Sequence, residues 1–178
     1  MSKLTISDSV ENIRRHSLEQ KLQSEILLLD GATGTELERR GVDISLPLWS
    51  ARAILDAPEI LMQIHLDYLL AGANIITANT FRTHRHNLAS SGMDSQATSM
   101  TQQAVAIAQK AISLSNNTSA FVAGSIAPLG DSYTPENTLS ERKLNKEHRL
   151  MSKILVSSGV DLLLVETMST ILEAVIAT

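Results

Sequence analysis

Short apolar runs and longer amphipathic stretches alternate along the chain. Residues 26–29 form a continuous apolar run that stops at Asp30 and Gly31, the pattern of a strand covered on both faces. "NIITANTF" (74–81), "AFVAGSIAPLG" (120–130) and "VDLLLVET" (160–167) supply three further strand segments. Between them lie helical patterns. Residues 33–40 predict a short helix closed by Gly41. Asp56, Pro58 and Glu59 are a start signal for a helix in which Ile60, Leu61, Ile64, Tyr68 and Leu69 recur and which Gly72 closes. A long helix is expected from Asp94 to about Ser115, with Met100, Ala104, Val105, Ala108, Ala111 and Ile112 on one face. Residues 141–158 place Leu144, Leu150, Met151, Ile154 and Leu155 inward, and a last helix starts near Ser169. Residues 42–55, with Pro47 and the sole tryptophan, Trp49, are expected to be irregular, as is a Gly/Pro loop running to Ser140. Residues 1–25 are polar with thinly spread Ile13, Leu18 and Leu22, and predict a short leading helix or an arm.

The pattern is α/β, four βα units in series, which demands parallel pairing and right-handed crossovers. Two architectures fit: an open doubly wound sheet, or part of a (β/α)8 barrel. A barrel takes about 250 residues, so these 178 residues would supply half of one, with residues 26–178 as a single domain.

Composition narrows the function classes. A hydrophobic content of 43% and a net charge of −4 describe an ordinary globular chain without a basic footprint for nucleic acid. No apolar run reaches the roughly 18–20 residues of a membrane span, and residues 1–25 lack a signal-peptide core. The expectation is a cytoplasmic protein binding neither nucleic acid nor membrane. With no cysteine in the chain, neither disulfides nor thiolate metal sites can form within it.

Ligands of either architecture bind at the carboxyl ends of the strands. Those ends read Asp30-Gly31, Asn79-Thr80-Phe81, Gly124-Ser125 and Glu166-Thr167. Two carboxylates on one rim suit a cationic group such as an α-ammonium, or a metal; alternatively each merely caps the helix that follows. "GATGT" lacks both the spacing and the lysine of a phosphate-binding loop, and a carboxylate before it would repel phosphate. His84 and His86 are spaced like metal ligands but have no third histidine or carboxylate nearby in sequence, so a solvated pair is expected and no metal site is assigned. His65 is expected to pack within its helix. Trp49 is either a lid over a pocket or a loop anchor.

The segments "LLDGATGTELERRG", "PLWSARAI", "HLDYLLAGANIITANTF", "AGSIAPLG" and "SSGVDLLLVETM" occur in an order that resembles the homocysteine S-methyltransferase family. The resemblance covers residues 26 to about 175. It implies a (β/α)8 TIM barrel, here about half of one, that transfers a methyl group to the sulfur of homocysteine to give methionine. Family donors include S-methylmethionine, S-adenosylmethionine, betaine and folate-linked methyl groups. Carried over by position, Asp30 and Glu166 would hold the ammonium of homocysteine and Gly31 would let the backbone come close. Asn79, Thr80, Phe81 and Thr167 would line the same pocket, with Trp49 near the donor. The family holds a zinc ion on three cysteines that keeps the substrate sulfur a thiolate. None of those cysteines is present here, so the expectation is half a substrate pocket without the metal site. On this reading the polypeptide is a truncated product, inactive alone, that self-associates or needs a complementing half, or a non-catalytic amino-acid-binding module.

Overall fold

A computed structural model describes residues 6–115, 117, 119–134, 136 and 138–178. Positions 1–5 of the expected leading segment, and 135 and 137 of the Gly/Pro loop, lie outside the described residues. At the centre is an open parallel sheet of three strands, β1 (Ile75–Ala78), β2 (Phe121–Ile126) and β3 (Leu162–Val165), in that spatial order. The registers pair Ile75 with Phe121 and Ala123 with Leu162. Around it run α1 (Ile6–Ser24), α2 (Thr33–Arg39), α3 (Arg52–Asp56), α4 (Pro58–Leu70), α5 (Arg85–Ala89), α6 (Ala97–Leu114), α7 (Glu141–Ser157) and α8 (Ile171–Ala177).

Strand alternation sorts the sheet into two faces. Ile76, Ala78, Val122 and Ile126 point one way, into a core with Leu69, Val105, Ala108, Ile112, Met151 and Leu155 of α4, α6 and α7. Gly124 lets α7 come close: a Cβ there would stand 2.9 Å from Leu155 Cδ2. On the opposite face Ile75, Phe121 and Ala123 pack with Leu18 of α1 and, less deeply, with Leu27, Leu162 and Leu164. The leading segment is therefore a docked helix. Arg14 fixes it, its guanidinium donating to both Asp161 oxygens at 2.8 and 3.0 Å and to the Ala120 carbonyl at 2.9 Å.

The expected first strand is reduced to a single parallel bridge between Leu29 and Ile75. Backbone bonds run from Asp30 N–H to the Ile75 carbonyl (2.9 Å) and from Ile75 N–H to the Leu28 carbonyl (3.1 Å). Further back the ladder is broken because Leu28 N–H turns to the Asn74 side chain at 2.9 Å. The segment still places Asp30 beside β1, which is what the site requires. Residues 42–55 are more regular than expected, since 49–51 form a 3-10 turn leading into α3. The long helix begins at Ala97 because residues 94–96 are also a 3-10 turn.

Candidate functional site

The carboxyl ends of the strands open onto one cavity of about 1110 Å³, lined by Asp30, Gly31, Trp49, Asn79, Phe81, Glu166 and Thr167 among others. Asp30 and Glu166, which close segments far apart in sequence, face the same space. Each is held by a neutral donor from the neighbouring strand. Thr77 donates its N–H (2.7 Å) and its hydroxyl (2.8 Å) to the two Asp30 oxygens. Ser125 donates its hydroxyl to Glu166 Oε1 at 2.6 Å. Alternation explains this pairing, because Thr77 and Ser125 occupy the cavity-facing positions of β1 and β2.

Neither carboxylate has a cation partner among the described residues. Burial pushes the Asp30 carboxyl above its ordinary range; the Thr77 bonds oppose this, and the negative charge of Glu166 reinforces it. Asp30 thus feels the charge of Glu166. A cation placed between them would relieve both like-charge repulsion and the missing counter-charge.

The glycines of "DGATG" serve the protein's own aromatic rings. A Cβ on Gly31 would meet Tyr68 Oη at 2.8 Å, and one on Gly34 would meet Trp49 Cζ2 at 2.7 Å. Tyr68 in turn donates to the Ala32 carbonyl at 3.0 Å, clamping the turn. The close approach expected at Gly31 is therefore made by α4. Trp49 stands edge-on to Phe81, with ring centroids 5.4 Å apart, and the pair walls one side of the cavity. Asn79 is buried and donates to the Ser50 carbonyl at 2.7 Å, which fastens the Trp49 segment to the end of β1. Among the described residues, Trp49 and Thr167 are the non-glycine residues with left-handed backbone, at φ 49° and 59°. Both line the cavity, and such strain is sparse outside functional sites.

Thr80 is not part of the lining. Its side chain is fully buried and its hydroxyl donates to the Ser125 carbonyl at 2.9 Å, tying β1 to β2 beneath the site. The solvated histidine pair is also corrected. His84 is 1% exposed, against His148 with ring centroids 5.5 Å apart, and burial pushes it down to about 3. His65 is buried as expected, and burial takes it down to about 4. No trio of His, Asp or Glu is gathered for a metal among the described residues.

Some residues escaped the sequence reading. Gly130, Asp131, Ser132 and Tyr133 also line the cavity. That loop is fastened by Glu173, which accepts Leu129 N–H at 2.8 Å, and by Asn87, which accepts Gly130 N–H at 2.8 Å. His148 Nε2 lies 2.9 Å from the same Glu173 oxygen. Only the "APLG" turn hinted at these contacts, which join residues about 40 positions apart. Arg82 also lines the cavity. No helix among the described residues is long and apolar enough to cross a membrane.

With this geometry in place, comparison with known proteins is informative. A family model described as Homocysteine S-methyltransferase matches residues 27–178. Homocysteine S-methyltransferase of Escherichia coli (strain K12) is 34% identical over 158 residues, covering 82% of this chain and 51% of that protein. Homocysteine S-methyltransferase YbgG of Bacillus subtilis (strain 168) is 32% identical over 164 residues, covering 84% and 52%. The crystal structure of the homocysteine methyltransferase MmuM from Escherichia coli in metallated form superposes with a TM-score of 0.78 at 32% identity, covering 88% of this chain and 59% of that one. The chain spans about half the length of the curated relatives it matches.

Proposed function

The chain belongs to the homocysteine S-methyltransferase family, and from that premise we propose that its cavity is the amino-acid-binding part of a homocysteine methyl-transfer site. Asp30 and Glu166 take the α-ammonium between them. Trp49 and Phe81 give the methyl-bearing donor an apolar wall, and Thr167 and Gly31 complete the rim. In the reaction the homocysteine thiol gives up its proton to solvent and the sulfur uses a lone pair to bond the donor methyl carbon, while the bond from that carbon to the donor atom breaks and its electrons leave with the donor. The observation carrying this reading is the convergence of Asp30 and Glu166 on one cavity, each held by a neutral hydroxyl and neither neutralised by the protein.

The zinc implied by the family does not fit this chain's own residues. There is no cysteine, and the two site carboxylates are already engaged by Thr77 and Ser125. We propose that the open sheet is half of a (β/α)8 barrel, with β3 pairing further βα units of the same family. β3 pairs with β2 alone among the described residues, and apolar Leu163, Ile171 and Val175 near it are 39%, 85% and 69% exposed. The setting is cytoplasmic. A second reading, a homocysteine-binding module without catalysis, is favoured by the absent cysteines.

Titration calorimetry of the 178-residue chain with homocysteine tests the shared core of both readings. One equivalent should bind. D30N and E166Q should each weaken it by about tenfold to hundredfold, the worth of a hydrogen bond to a charged group. An unaltered affinity in both variants would remove the assignment. Adding a cysteine-bearing C-terminal half from a relative separates the two readings, since only the enzymatic one then yields methionine.

A further inference from the structure

The cavity is lined by three carboxylates, Asp30, Asp131 and Glu166, and by one fixed cation, Arg82. Arg14, Arg39, Arg40, Arg52 and Arg85 each have an acidic partner within 4 Å. Arg82 makes no hydrogen bond or ion pair among the described residues, and its Nε is buried without a partner. Asp131 acts on it only through longer-range charge, while burial works against its proton. A half-buried guanidinium with unused donors carries a desolvation cost that its surroundings do not offset. The planar donor fork suits a carboxylate, which it can grip with two parallel bonds.

Resting on the reading above, we infer that Arg82 is the carboxylate-binding residue of this cavity, opposite in charge to the Asp30–Glu166 pair and complementary to a ligand carrying both ammonium and carboxylate. The position follows from the strand end: Phe81 faces Trp49, and the residue after it, Arg82, lines the same cavity as Asp131. The carboxylate belongs either to the thiol amino acid that accepts the methyl or to an amino-acid methyl donor. The chemistry is the same, and the test separates the sources.

The experiment measures affinities of the whole chain and of R82M, R82K and D30N for two ligand pairs, each with and without the carboxylate. The acceptor pair is homocysteine and its decarboxylated counterpart, an aminopropanethiol. The donor pair is S-methylmethionine and trimethylsulfonium. Circular dichroism establishes that each variant is folded, and R82K guards against a packing defect in R82M. The wild type should prefer the carboxylate-bearing member of one pair, and R82M should cut that affinity by about tenfold to hundredfold while sparing the carboxylate-free member. R82K should recover part of the loss, as a point charge without the fork. Loss on homocysteine assigns the acceptor; loss on S-methylmethionine assigns the donor. No preference for a carboxylate in either pair, or equal affinities in wild type and R82M, overturns the inference. If homocysteine binding falls in D30N while R82M leaves the affinities for both homocysteine and S-methylmethionine unchanged, the Arg82 assignment alone is lost and the ammonium reading survives.

Discussion

The two ends of the sheet treat acidic side chains in opposite ways. At the amino end Asp161 is closed off: Arg14 grips both its oxygens at 2.8 and 3.0 Å, and Val122 N–H reaches Oδ2 at 2.8 Å. At the carboxyl end Asp30 and Glu166 receive only neutral donors, Thr77 and Ser125, and share a cavity. A carboxylate with a built-in counter-ion has its electrostatics completed by the fold. The Asp30–Glu166 pair has no such counter-ion among the described residues, and the charge of Glu166 already acts on Asp30. Sequence position alone does not distinguish these cases, because all three acids adjoin apolar strand runs.

The largest effect should come from removing charge at the carboxyl end. D30N is expected to lose most homocysteine affinity and yet melt no lower than the wild type near neutral pH. The sign follows from Asp30's raised folded-state value. The native state keeps its proton to higher pH than the unfolded chain, so this contribution to stability is complete below the ordinary 3.8 and is lost as pH rises through the raised value. Thermal melts across pH should therefore show D30N gaining on the wild type from acid to neutral. A D30N protein that is less stable and still binds would place Asp30 with Asp161 as a structural acid.

Next in size is G34A. Its methyl group would lie 2.7 Å from Trp49 Cζ2, and overpacking of this kind costs about 1–3 kcal/mol. Because the displaced ring walls the cavity, tryptophan fluorescence and ligand affinity should change together. A change in melting temperature alone would sever Trp49 from the site.

R14M probes the amino end. It should cost about 1–2 kcal/mol, since Asp161 loses its ion pair but keeps the Val122 bond and Arg14 is partly solvated. Homocysteine affinity should be unchanged. Reduced affinity in R14M would mean that α1 reaches the site through the sheet. The smallest effect is expected from Y68F, which loses the single bond to the Ala32 carbonyl, worth about 0.5–1.5 kcal/mol at most at this exposed position.

The βα rhythm, the parallel pairing and the acids at the strand ends were legible because they rest on local periodicity and on the alternation of side chains. What sequence could not show depended on which neighbour reached a position first. Leu28 exchanged a ladder bond for the Asn74 amide, shrinking a strand to a bridge. Thr80 and Asn79 are adjacent, yet one turns into the sheet and the other fastens the Trp49 segment. His84 disappeared beneath α7 because helix packing buried a loop that composition marks as polar. Nothing in the sequence showed that the missing Cβ atoms of Gly31 and Gly34 make room for Tyr68 and Trp49. Arg82 gave no signal beyond being one of several arginines, since its meaning lies in the partner it lacks.

The central claim is that the two facing acids exist to receive one positive charge. Calorimetric comparison of homocysteine with mercaptobutanoate, which keeps the thiol and the carboxylate but has no ammonium, tests it most directly. Homocysteine should bind tighter by at least about tenfold, and D30N should erase the difference. Equal affinity of the wild type for the two compounds would contradict it.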